Sequence, residues 1–71
     1  MELCVTYTTS ETIEVDDKYL PLADGDNNMT VQELEDLADS LFTDLRVDHG
    51  IEQEMISFIE DMGTENIIYE Y

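Results

Sequence analysis

The chain has 71 residues with 19 Asp and Glu against one Lys, Lys18, and one Arg, Arg46, a net charge of −17. A chain of this length forms one small domain, and two cations cannot neutralise a run of phosphates, which excludes direct nucleic-acid binding and attraction to anionic membranes. A hydrophobic content of 42% is more than a disordered acidic tail carries, and the isoleucines at 13, 51, 56, 59, 67 and 68 against Ala23 and Ala38 are unlike an Ala-rich salt-adapted coat.

The first residues, MELCVTYTTS, contain no basic region and no long apolar stretch, so the expectation is neither leader nor membrane anchor and a cytoplasmic location. Leu3, Val5 and Tyr7 alternate with Glu2, Cys4, Thr6 and Thr8, the period of a half-buried strand. Cys4, the lone cysteine, excludes an internal disulfide framework and fits a strand position in a reducing compartment. Thr9-Ser10-Glu11 turns the chain into a second strand, Thr12 to Asp16, with Ile13 and Val15 inward. From Asp17 to Asn28 the pattern breaks at Pro21 and at Asp24-Gly25-Asp26-Asn27-Asn28, which predicts a loop.

Thr30 followed by Glu33 is a capping box, so a helix begins there and carries Val31, Leu34, Leu37, Ala38, Leu41, Phe42 and Leu45 on one face up to Gly50. Ile51, Met55, Phe58, Ile59 and Met62 predict a second helix from about Ile51 to Met62, closed by Gly63. Asn66 to Tyr71 is β-branched and aromatic and predicts a returning strand. The expectation is a single α+β domain over residues 1–71, of order ββααβ, with a short antiparallel sheet packed by two helices.

Asp24, Asp26, Asn28 and Glu35 overlay the first, third, fifth and twelfth positions of a calcium loop. Met29 stands where that loop needs glycine and Pro21 interrupts the preceding segment, so a turn feeding the Thr30 cap accounts for the same residues, and no metal or other cofactor is expected. His49 has no nucleophile or ligand partner in the pattern and suits a helix C-terminus, and no phosphate-binding glycine loop is present, so an enzyme is not expected.

The acidic residues themselves are the informative feature. Glu33 with Asp36, Glu35 with Asp39, and Asp36 with Asp39 are like-charge neighbours on the first helix, each costing about 0.2 to 0.5 kcal/mol. Asp44, Asp48 and Asp61 fall near predicted helix C-termini, where the helix dipole disfavours them. A surface that gives up local stability for one sign points to a basic partner, presented with Glu33, Asp36, Asp39, Glu54, Glu60 and Asp61 on the outward helix faces, or with Asp16, Asp17, Asp24 and Asp26. A sphere of this chain length is about 28 Å across. Duplex DNA of that length carries about 17 charges.

Small size, extreme acidity, a single cysteine and an Ile-rich, Ala-poor composition resemble phage-encoded DNA-mimic inhibitors of host proteins, nearest the small Bacillus-phage inhibitors of the nucleoid protein HU. The resemblance covers the whole chain as length, charge and element order rather than as a diagnostic motif. It implies a homodimer whose carboxylates imitate phosphates and occupy the DNA-binding surface of HU, disorganising the host nucleoid. A restriction enzyme or CRISPR effector is the alternative target of the same mimicry. A calcium-binding module and an acidic adaptor that leaves DNA in place are readings of other classes.

Overall fold

The computed structural model describes residues 1–24 and 28–71. Strands β1 (Glu2–Thr6) and β2 (Ser10–Glu14) form the hairpin that the alternation predicts, with Leu3 opposite Ile13 and Val5 opposite Glu11. Leu3, Val5 and Ile13 are buried on one face. Glu2, Cys4 and Thr6 occupy the other, where each is exposed or half-buried.

The segment after the hairpin is more ordered than a loop. Asp17–Tyr19 makes one 3₁₀ turn, whose first residues are tied by Asp16 accepting from the Lys18 backbone N–H at 2.8 Å, and α1 (Leu20–Asp24) follows directly. Pro21 is tolerated because it lies in the first turn of α1, where its missing N–H would have had no helical acceptor. Tyr19 and Ala23 are thereby buried.

Helix α2 (Val31–His49) starts on the capping box as read from the sequence. The Glu33 N–H donates to Thr30 Oγ1 at 3.1 Å and the Thr30 N–H donates to Glu33 Oε1 at 3.3 Å. It ends at Gly50, whose φ of 68° is the left-handed conformation that an L side chain rarely adopts. Leu41 and Leu45 are buried, Leu34, Leu37, Ala38 and Phe42 flank them half-buried, and Val31 is instead exposed.

The predicted helix from Ile51 to Met62 is not formed. A single 3₁₀ turn covers Gln53–Met55, and β3 (Phe58–Asp61) then runs antiparallel to β1, with Val5 opposite Ile59 and Leu3 opposite Asp61. Strand β4 (Ile67–Glu70) is the predicted returning strand and pairs with β3, with an irregularity at Ile59/Glu60 that leaves Ile68 between the paired residues Ile67 and Tyr69. The sheet order is β2-β1-β3-β4, antiparallel throughout. The protein is therefore an α+β domain with a four-stranded antiparallel sheet and two α-helices.

Leu3, Val5, Ile13, Tyr19, Leu41, Leu45, Ile51, Ile56 and Ile59 form the core between sheet and helices. Phe42 of α2 meets Tyr69 of β4 edge-on, ring centroids 5.1 Å apart. The body measures 34 × 22 × 21 Å, longer than the sphere expected for its length. No helix among the described residues is long and apolar enough to cross a membrane.

Candidate functional site: an uncompensated acidic surface

Burial sorts the acids simply. Of the described carboxylate residues, Asp61 alone is buried; Asp44 and Glu60 are half-buried and the others are exposed. With 42% hydrophobic residues the core is filled without them, so nearly all the charge faces solvent.

Helix α2 presents Glu33, Asp36 and Asp39 exposed on the side away from Leu41 and Leu45, the grouping that the helical spacing predicts, and Glu35 is exposed as well. Glu33 also closes the capping box, and Asp36 Oδ1 accepts from Gln32 Nε2 at 3.0 Å. Asp16 and Asp17 are exposed at the 3₁₀ turn, and Asp24 is exposed at the end of α1. Asp26 lies outside the described residues. Glu54 is exposed, but on the 3₁₀ turn rather than on a helix face.

Glu60 and Asp61 are not where a helix would put them. Glu60 lies on β3, half-buried opposite Cys4 on the face of the sheet away from the core. Asp61 is 2% exposed and belongs to the β3–β4 turn. Its carboxylate accepts from Thr64 Oγ1 at 2.7 Å, from the Gly63 N–H at 3.2 Å and from the Thr64 N–H at 3.3 Å. The Thr64 hydroxyl, with those two N–H groups, outweighs burial and holds the carboxyl below the ordinary aspartate value. Asp61 is a buried, turn-forming residue and is not part of the exposed acidic surface.

Asp44 is likewise not spent on sign alone, because the Tyr19 hydroxyl donates to its carboxylate. Burial first, and this bond second, push the Tyr19 phenol up to about 12. Asp48 remains an acid in the last turn of α2, beside Arg46 and His49.

The sheet adds acids that the helix projection missed. Glu2 and Glu14 sit directly opposite each other on β1 and β2, on the face away from the core, and Glu70 opposite Phe58 extends that face. The strand alternation that turned Leu3 and Ile13 inward already carried this signal. Like charges directly opposite across a strand pair are destabilising.

Almost nothing offsets the charge. Among the described residues, the ion pairs are those of the Met1 ammonium with Asp17 at 2.7 Å and Glu14 at 3.4 Å, and no carboxylate pairs with Lys18 or Arg46. Lys18 Nζ lies 5.1 Å from the Tyr19 ring centroid instead. A net charge of −17 thus rests on a body 34 Å long. A duplex of that length carries about 20 charges.

The calcium-loop spacing is divided between elements. Asp24 ends α1, Glu35 is exposed in α2, and one turn of helix does precede the loop despite Pro21. No group of three or more His, Cys, Asp or Glu side chains among the described residues is placed to hold a metal ion. The chain matches no family model, no curated protein and no solved structure.

Proposed function

We propose that this protein is a DNA mimic that binds the DNA-binding surface of a basic protein of a bacterial host, the nucleoid protein HU first, and blocks its access to DNA in the host cytoplasm. It acts by occupying a surface and catalyses nothing. The observation that carries the proposal is the charge of −17 left almost entirely without intramolecular cations, on a body close to a short duplex in length. An ordinary soluble surface intersperses both signs.

HU-type proteins bend DNA with basic arms and apolar wedges in the minor groove, so their cleft is built for a rigid anionic body. Carboxylates on α2, at the 3₁₀ turns and on the outer sheet face stand in for phosphates. The proposal includes a homodimer, which lengthens the acidic surface.

The test is a titration of HU–DNA complexes with the protein. DNA is released at low salt, and release weakens steeply as salt rises, because the contacts are electrostatic. HU that stays fully bound to DNA at saturating protein and low salt would falsify HU as target. A restriction or CRISPR effector inhibited under the same conditions would then supply the alternative.

A further inference from the structure

We propose that the cleft at one end of the sheet is a socket for an arginine side chain of the basic partner, with its stem against Met1, Leu20 and Met62 and its guanidinium between Glu2 and Glu14. This rests on the DNA-mimic function and adds one anchoring contact to a surface that is otherwise diffuse.

The cleft has a volume of about 440 Å³ and opens where β1 begins, β2 ends and the β3–β4 turn closes. Its wall is apolar and accessible: Leu20 and Met62 are 37% and 46% exposed. A methionine-bearing wall adapts to the shape of an inserted chain. Arginine buries its methylene stem on such a wall while its head remains with polar groups.

The two carboxylates are placed by strand register. Met1 and Val15 exchange both backbone bonds, Met1 N to Val15 O and Val15 N to Met1 O, each 2.8 Å. The next pair, Glu2 and Glu14, is therefore the narrow pair, in which facing side chains approach most closely. Glu14 lies 3.4 Å from the Met1 ammonium, which is already held by Asp17 at 2.7 Å and by the Val15 carbonyl. Glu2 has no side-chain partner among the described residues. Asp61 also lines the cleft, but its oxygens are taken by Gly63 and Thr64. A cation between Glu2 and Glu14 turns a repulsive pair into two charge-assisted bonds. The planar guanidinium fork, donating along two edges, suits two carboxylates better than a hydrated ammonium does.

Octa-arginine and octa-lysine peptides are the probes, with affinities measured at one moderate salt concentration. Octa-arginine binds the more tightly. The pair Glu2→Gln with Glu14→Gln lowers its affinity about tenfold, the loss expected of charge-assisted bonds. Glu11→Gln with Glu65→Gln removes the same charge at exposed residues outside the proposed mimic surface and costs no more than about twofold, the effect of diffuse attraction at screening salt. Met62→Ala, which keeps every charge, lowers the affinity for octa-arginine by removing part of the wall under the stem, and thermal melts confirm that each variant is folded. Equal losses in the two glutamine pairs, or equal binding of the two peptides, overturn the socket. The HU–DNA titration is read separately: HU displaced from DNA together with equal losses sinks the socket alone, whereas selective loss with HU undisturbed keeps the socket and sinks HU as the target.

Discussion

The hydroxyl of Tyr19 donates to the carboxylate of Asp44, joining the 3₁₀ turn after the hairpin to the C-terminal half of α2 across 25 residues of sequence. Tyr19 is fully buried, so this bond fixes how the helix sits over the end of the sheet. Tyr19→Phe keeps the ring and leaves Asp44 without its donor. The expected cost is about 1 to 2 kcal/mol. In a domain of this size that lowers the melting temperature by roughly 5 to 10 °C.

Burial of the Tyr19 phenol, with this bond second, sets an alkaline limit. A phenol whose folded pKa is raised from 10 to about 12 contributes stability that is complete below pH 10 and is lost as pH rises through 12. Absorbance titration should show one tyrosine ionising near the upper end of that window, and the Tyr19→Phe variant should lack it. A tyrosine titration identical in the two proteins would refute the assignment.

Asp61 sets the acid limit. Its folded pKa is depressed, so its contribution is present above the unfolded value of 3.8 and is lost as pH falls through the lower folded value. Asp61→Ala removes the acceptor of three bonds in a buried turn and is expected to cost about 2 kcal/mol. Asp61→Asn keeps one acceptor oxygen, costs less and flattens the loss of stability below pH 4. A variant as stable as the parent at neutral pH would refute this stabilising role of Asp61.

Much of the fold is legible in the sequence, and the failures share a cause. β1, β2, the Thr30–Glu33 box and the Gly50 stop are local signals, each resting on side-chain period or on a cap within one turn. Ile51, Met55, Phe58, Ile59 and Met62 fit a helical stripe, but Ile56, Phe58 and Ile59 belong equally to a strand. What decides is non-local: β3 fills the place between β1 and β4, where Ile59 meets Val5 and Tyr69. A helix there would leave β4 without a strand partner and one edge of β1 open. The same competition relocates Glu60 and Asp61, which the helical spacing puts on an outward helix face and which lie on β3 instead. Glu33, Asp36 and Asp39, on the helix with a readable cap, are exposed on the face of α2 that the spacing predicts.

The acids of α2 give a direct test of charge against stability. Glu35→Gln, Asp36→Asn and Asp39→Asn together relieve like-charge neighbours without touching Glu33 of the cap. The triple variant should be more stable by about 1 kcal/mol at low salt. Added salt should stabilise the parent more than the variant, the reverse of a protein held by surface ion pairs. Partner affinity should fall in the same variant. An unchanged affinity for HU would exclude α2 from the contact surface.

The two edges of the sheet differ in a way that locates the proposed homodimer. β2 exposes Ser10, Glu11, Thr12 and Glu14, a polar and charged edge of the kind that resists pairing. β4, at the other edge, exposes Ile67 at 53% and is followed by Tyr71 at 95%, while Ile68 and Tyr69 pack against the core. Two copies joined at β4 would cover these apolar groups and continue the sheet. Sedimentation equilibrium at micromolar protein should give twice the 8.2 kDa chain mass, with association strengthened by salt as the repulsion between two acidic bodies is screened. Ile67→Asp should yield a folded monomer, whereas Ile68→Asp should lower stability itself because that side chain reaches the core. A monomer mass at physiological salt ends the dimer proposal, and an Ile67→Asp variant that stays dimeric moves the interface away from β4.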